Sequence, residues 1–235
     1  MAERAAVQQW FGSEQRKFVE LARSLTDEQW SAPSLCAEWT VRELIIHVAW
    51  HIHLAKVAPK EALRVLRYRG MDGLYARILE ENRDRSPTEL VAWLDSRGRR
   101  NPANLVELII HQQDVRVPLG LPRAIPADQL IWLLTFAMTP AGSKETGGRP
   151  RRRAEGLRLA ATDVAWAHGE GPEVRGPGQA VLMTICGRPG FVDQLTGAGI
   201  ETLVARGPSA VTAGRGLLAP DRYTGSRRAA GWSGD

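Results

Sequence analysis

A carboxylate and an imidazole stand four residues apart in an apolar stretch of the sequence, where Glu107 precedes His111. If this stretch is helical, both side chains lie on one face, about one turn apart. A carboxylate oxygen and an imidazole nitrogen so placed can bind one divalent metal ion. Because a carboxylate is costly to bury without a cation, a metal explains the pair better than a salt bridge does. A histidine packed in the core with a satisfying partner is the alternative.

His47 is the best candidate for a third ligand, because it lies on an earlier predicted helix. That helix begins at a capping box formed by Thr40 and Glu43. Three protein ligands would leave a fourth position open for water, a thiol or a substrate, as a catalytic metal requires.

Three further residues near the proposed ligands have more than one possible role. His51 shares a helix face with His47 and is a fourth ligand, a general base or, as we expect, a packed residue. Asp114 either accepts a hydrogen bond from a ligand imidazole, caps the local structure, or forms a salt bridge with Arg116 or Arg123. Cys36 lies just before the predicted helix of His47 and could reach the mouth of the site.

Helical periodicity and start signals predict that the N-terminal part is entirely helical. The predicted helices cover residues 3–25, 40–58, 86–94, 101–116 and 129–138. Between them, residues 61–83 are expected to form a charged, helix-prone connection that Gly70 and Gly73 break.

The composition changes after Thr139, which predicts an α+β protein with several parts. The expected division is a helical bundle, a linker, a small α+β module and a disordered tail, at residues 1–140, 141–156, 157–206 and 207–235. Within the module we expect strands at 157–163 and 164–168, helices at 178–186 and 191–195, and a last helix or strand at 200–205.

Composition also limits the function classes. The chain has 235 residues, two cysteines and a formal net charge of +5. Because the basic runs at 149–153 and 227–228 lack a nucleic-acid motif and interleaved aromatics, they favour a solvated linker and tail over nucleic-acid binding. No apolar stretch is long enough to cross a bilayer, and the N-terminus lacks a signal-peptide pattern. We expect a cytoplasmic protein, monomeric or weakly dimeric, that binds neither nucleic acid nor membranes.

Two stretches of this sequence resemble signatures of the mycothiol-dependent maleylpyruvate isomerase family, at residues 33–47 and 107–120. Shorter segments at 157–163, 169–176 and 186–188 resemble the C-terminal domain of that family. The resemblance spans residues 5–206 approximately. It implies a DinB-like four-helix bundle, followed by a small α+β domain with a sterol-carrier-like fold, in a protein from an actinobacterial host.

The resemblance also implies a site and its cofactors. A divalent metal, most often Zn²⁺, would be bound by His47, Glu107 and His111, with mycothiol as the thiol cofactor. An arginine of the C-terminal domain would lie near the substrate. Arg188 is the candidate for this catalytic role, and Arg175 is its competitor.

These features predict a metal-dependent, mycothiol-using enzyme that acts on a small electrophile by cis–trans isomerisation or thiol transfer, with carboxylate-bearing compounds among the candidate substrates. In isomerisation, a metal-activated thiolate would add to a conjugated cis double bond, and its elimination after rotation would give the trans product. The alternative is a non-catalytic module that binds a metal or small molecule, with His51 closing the site as a fourth protein ligand. A nucleic-acid-binding regulator is a third possibility that rests on charge alone.

Overall fold

The computed structural model of the chain describes residues 2–36, 39–53, 67–68, 70–146, 149–188 and 190–206. These residues form α-helices and one small sheet, which confirms the predicted α+β class. In chain order the helices are α1 Ala2–Ser24, α2 Asp27–Ser31, α3 Val41–His53, α4 Met71–Asn82, α5 Pro87–Asp95, α6 Pro102–Arg116, α7 Ala127–Ala137, α8 Pro140–Glu145, α9 Pro150–Ala154, α10 Gly178–Ile185 and α11 Ile200–Ala205. The strands are β1 Arg158–Ala161, β2 Ala167–His168 and β3 Glu173–Gly176, and a 3₁₀ turn covers Val192–Gln194.

Four helices, α1, α3, α5 and α6, pack around a common apolar core. Both α5 and α6 contact α1 as well as α3. Phe11 and Phe18 of α1, Ile45 of α3 and Ile109 of α6 are fully buried in this core. Each such side chain contributes about 2 kcal/mol when it leaves water. The core therefore holds α3 and α6 side by side, which the predicted metal site requires.

The helix starts predicted at Thr40, Ser86 and Asn101 are confirmed. The Thr40 backbone N–H donates to the Glu43 carboxylate at 2.8 Å, and the Glu43 N–H donates to the Thr40 hydroxyl at 3.3 Å. Ser86 and Glu89 form the same reciprocal pair at the start of α5. The Asn101 side chain accepts a backbone N–H from the first turn of α6. These caps satisfy helix-end donors and fix where the helices begin.

In the predicted connection at 61–83, the described residues 67–68 and 70–83 differ from the prediction at one glycine. Helix α4 runs through Gly73, so the expected break at that residue is wrong. Gly73 lies in the first helical turn, where a Cβ would stand 1.8 Å from the carbonyl oxygen of Tyr68. The glycine therefore permits a close backbone approach rather than ending a helix. Gly70, with φ 115°, is the N-cap residue that directly precedes this helix.

Three expectations lie outside the described residues. They are the continuation of α3 from His53 to about residue 58, the first part of the predicted connection at 61–66, and the character of the 207–235 tail. Among the described residues, no helix combines the length and apolar character that a membrane crossing needs.

The small sheet has the strand order β2–β1–β3, with β1 antiparallel to β2 and parallel to β3. The first predicted strand is present, but the second is shorter than expected and covers only Ala167–His168. Residues 162–165 bend instead, and the Asp163 carboxylate accepts the backbone N–H of Gly178 at 2.7 Å. The bend therefore supports the start of α10, which packs against β1 and β3. The last element, at 200–205, is a helix.

The stretch from 141 to 156, expected as a linker, contains most of α8 and all of α9. Helix α8 packs against α7, and α9 packs against α10. Part of the arginine run at 149–153 is therefore helical. The division into bundle, linker, module and tail stays a prediction.

Gly197 offers a test of the turn between β3 and α11. Its φ is +115°, and a Cβ there would lie 2.2 Å from the backbone oxygen of Glu173. We expect Gly197→Ala to lower the free energy of unfolding by roughly 3 kcal/mol, since backbone strain and a backbone clash add. Gly120→Ala is the control, because Gly120 also has positive φ but meets nothing within 4 Å. It should cost about 1 kcal/mol. Urea unfolding of both variants measures the difference, and equal losses would contradict the role of the close contact.

Candidate metal centre

Helices α3 and α6 bring the three predicted ligands together. The Nε2 atoms of His47 and His111 each lie 3.0 Å from the same carboxylate oxygen, Oε2 of Glu107. One ligand atom from each residue lies within 4.8 Å of the other two. All three side chains are largely buried but not sealed, with 6–7% of each residue exposed. Their convergence agrees with the predicted site, and metal binding itself stays a prediction.

The His47 imidazole is in the neutral form, which is the form able to coordinate a metal. Burial lowers the pKa of His47 to about 4, although its hydrogen bond with Glu107 opposes this shift. The imidazole is therefore neutral near pH 7, as metal coordination requires. The ring centroids of Trp39 and Tyr75 stand 4.8 and 4.9 Å from that of His47. Since its Nδ1 is buried without a hydrogen-bond partner in the described structure, these ring contacts and the hydrogen bond between Nε2 and Glu107 orient the imidazole.

Glu107 supplies negative charge to the centre. Burial alone would raise the pKa of Glu107, but His51, His111 and His47 outweigh it and hold this pKa well below its usual value. The group is thus a carboxylate at neutral pH. An anionic oxygen flanked by two imidazole nitrogens is a common donor set for Zn²⁺ in proteins.

His111 carries the balancing proton. Burial lowers the pKa of His111, but the sulfur of Cys36 and the carboxylates of Glu107 and Asp114 raise it well above its usual value. The imidazolium proton therefore compensates the buried carboxylate. A divalent cation could take the place of that proton, so the residues present fit a metal ion.

Asp114 is the outer partner of His111. The Nδ1–H of His111 donates to Asp114 Oδ2 at 2.8 Å, which directs Nε2 towards Glu107. Of the alternatives considered for Asp114, the hydrogen bond to a predicted ligand is observed. The predicted salt bridge with Arg116 or Arg123 is wrong, because Asp114 Oδ2 instead lies 2.9 Å from Nη2 of Arg188.

Cys36 lies at the edge of the centre. Its Sγ is 3.1 Å from Asp114 Oδ2 and 3.6 Å from His111 Nδ1. Burial and the neighbouring carboxylate raise the pKa of the Cys36 thiol. Although these three residues also come within metal-binding distance of one another, the guanidinium of Arg188 already contacts Asp114 and disfavours a cation there.

His51, Arg188 and Arg175 occupy different surroundings. His51 Nε2 lies 3.9 Å from Glu107 Oε1, the oxygen that the other two histidines do not contact. Arg188 is buried, whereas Arg175 is exposed on β3. The catalytic role of Arg188 stays a prediction.

Sequence reasoning missed the aromatic surroundings of His47. No local signal in the sequence places Trp39 or Tyr75 beside His47. Tyr75 lies on α4, whose placement against α3 depends on contacts between distant parts of the chain. The sequence of α4 around Tyr75 contains no local signal for this contact.

The fold and site define an α+β protein with a candidate metal centre between two packed helices. Residues 11–105 match the family model described as the mycothiol maleylpyruvate isomerase N-terminal domain, which confirms the family resemblance predicted from the sequence. The matched segment includes His47, while Glu107 and His111 lie just beyond its end.

Two solved structures are also similar to the chain: the crystal structure of the mycothiol-dependent maleylpyruvate isomerase and that of an alanine mutant of it. Each has 16% sequence identity, covers 84% of this chain and 92% of the other, and gives a TM-score of 0.42. No curated protein sequence matches this chain.

Proposed function

We propose that this protein is a metal-dependent, mycothiol-using enzyme that acts on a small electrophile by cis–trans isomerisation or thiol transfer. The observation that carries the proposal is the convergence of His47, Glu107 and His111 on one point. The match of residues 11–105 to the isomerase N-terminal domain supports the choice of thiol. The proposal places the enzyme in the cytoplasm of an actinobacterial cell that makes mycothiol.

His47, Glu107 and His111 would hold the metal, with Zn²⁺ the first candidate. A bound divalent metal would lower the pKa of a coordinated thiol and so supply a nucleophile at neutral pH. Glu107 contributes the anionic oxygen, and His47 contributes a neutral imidazole. Asp114 keeps the Nδ1 proton of His111 in place, so that Nε2 faces the centre.

One side of the centre is bordered by rings. Trp39, Tyr75 and His51 are half-buried, more exposed than the three proposed ligands, and Trp50 packs edge-on against Tyr75. These rings would exclude water, and the lower local dielectric would strengthen the electrostatic interactions within the centre. We infer that the thiol and substrate approach from this side.

The first test is metal content and thiol binding. We expect purified protein to hold about one divalent ion per chain and mycothiol to bind only to that form. His47→Ala should remove both properties, whereas His53→Ala should preserve both. His53 is the matched control because its side chain instead contacts the backbone oxygen of Ala49 and the side chain of Ser96. Elemental analysis and calorimetric titration measure these results.

Wild-type protein without metal, or with mycothiol affinity that does not depend on metal, would contradict the proposal. Incubation with maleylpyruvate and with a panel of electrophiles then separates the two reaction classes. Isomerisation returns the thiol unchanged, whereas transfer leaves a stable conjugate that mass spectrometry detects.

The second candidate is a non-catalytic module that binds a metal or small molecule. The observation that favours it is the approach of His51 Nε2 to the second oxygen of Glu107. A fourth protein ligand would close the position that a thiol needs. Among the described residues, the ligand atoms that lie close to one another at this centre come from His47, Glu107 and His111. His51 does not belong to this group.

A further inference from the structure

We propose that Arg188 is a positioning residue, which acts on the metal centre through Asp114 and His111, and not a residue that binds substrate. The inference rests on the proposed function, because it supposes that His111 is a metal ligand. It also gives the C-terminal part of the chain a specific task, which is to complete the surroundings of that ligand.

All three guanidinium nitrogens of Arg188 already have partners within the protein. Its Nε donates to Asp114 Oδ1 at 3.1 Å, and its Nη2 donates to Asp114 Oδ2 at 2.9 Å. Its Nη1 donates to the backbone oxygen of Cys186 at 2.8 Å. The side chain is only 5% exposed. A two-pronged contact of this kind fixes the carboxylate plane and occupies the Nε and Nη2 donors that would otherwise receive a substrate carboxylate.

Asp114 transmits this contact to the centre. Its side chain is completely buried and lies between Arg188 and the Nδ1–H of His111. Oδ2 accepts from both groups, at 2.9 and 2.8 Å. The orientation of the His111 ring therefore depends on a carboxylate that Arg188 holds. Outer partners of this type fix the tautomer of a metal-binding histidine and increase its basicity.

The end of α10 delivers Arg188 to this position. Gly187 adopts φ 84°, and the backbone N–H of Arg188 returns to the carbonyl oxygen of Met183 at 2.9 Å. This pattern is a glycine-terminated helix end. A second contact joins α10 to α6, where Gln179 donates to the side chain of Gln113 at 3.2 Å. The docked helix end thus places a positive charge beside the last turns of α6.

Loss of either partner should disturb His111. Without Arg188, the buried Asp114 carboxylate loses its counterion, and in Asp114→Asn the imidazole loses its anionic acceptor. Removing one partner of a buried pair leaves an uncompensated charge, whereas removing both does not. The double variant Asp114→Asn/Arg188→Met therefore tests the role even if a single variant folds poorly.

The experiment measures the zinc dissociation constant of full-length variants by competition with a chromophoric chelator. We expect Asp114→Asn and Arg188→Met each to weaken zinc binding by about 10–100-fold. Arg188→Lys should fall between Arg188→Met and wild type. Because the two residues act in series, the double variant should be no weaker than the worse single variant. Arg175→Met, at an exposed position on β3, is the matched control and should keep wild-type affinity.

The outcomes separate this inference from the proposed function. Wild-type protein that binds no zinc would overturn the proposed function and the inference together. Zinc binding by wild type that survives unchanged in folded Arg188→Met would overturn the inference alone. A raised KM with unchanged zinc affinity in that variant would assign Arg188 to substrate instead. Circular dichroism at the titration temperature establishes that each variant is folded.

Discussion

Replacement of Glu107 by glutamine is expected to lower zinc affinity at the candidate centre on the order of 1,000-fold. Loss of an outer-sphere partner already costs about 10–100-fold, and Glu107 would be a direct ligand. It is also the anionic member of the site, since neighbouring histidines hold its pKa well below the usual value. A neutral amide of nearly the same shape removes that charge with little change in packing. The chelator competition assay measures the loss.

His51→Ala separates the two candidate functions in the same assay. An enzyme with an open position requires three protein ligands, so this variant should bind zinc within about threefold of wild type and should still bind mycothiol. A closed module requires His51, and the variant would then lose zinc almost as severely as Glu107→Gln. His53→Ala, on the same helix but at another site, controls for the loss of a histidine. Zinc affinity that survives in Glu107→Gln would remove the basis of both candidates.

The three proposed ligands could be found from the sequence because local rules and family resemblance agree on them. Glu107 and His111 are one helical turn apart, and the caps at Thr40 and Asn101 set the helices on which all three residues lie. An apolar core between α3 and α6 then leaves little freedom in how these helices meet.

The outer shell of the centre could not be predicted in the same way. Arg188 and Asp114 are separated by 74 positions, and the identity of either residue leaves several partners open. The sequence suggested Arg116 or Arg123 for Asp114, because both are near it along the chain. The fold instead brings the end of α10 to this carboxylate and directs Arg123 elsewhere. Local spacing describes a helix face, but it does not describe which distant element docks there.

Arg123 pairs with Glu14, across 109 positions of sequence. The Glu14 side chain is completely buried, and the Arg123 guanidinium contacts its two oxygens at 2.7 and 2.8 Å. Lys17 lies 3.0 Å from the same carboxylate, and Gln112 donates to it at 3.1 Å. This group joins α1 to α6 and to the segment after α6. It therefore supports the helix that carries two of the three proposed ligands.

Arg123→Met is accordingly expected to lower the free energy of unfolding by about 3 kcal/mol at pH 7, since it leaves a buried carboxylate without its main partner. Burial alone would raise the pKa of Glu14, but Arg123 and Lys17 lower it below its ordinary value of 4.5. The stabilisation is thus complete above that value and is lost as the pH falls through the lower pKa of the folded protein. In the variant the carboxyl group can take up a proton at higher pH, so the difference from wild type should shrink in acid.

Urea unfolding between pH 7 and 3 measures this, with Arg23→Met as control because the Arg23–Asp95 pair is exposed and contributes less than about 1 kcal/mol. An unfolding difference that stays constant as the pH falls would show that lost packing, and not the charge of Glu14, accounts for the effect.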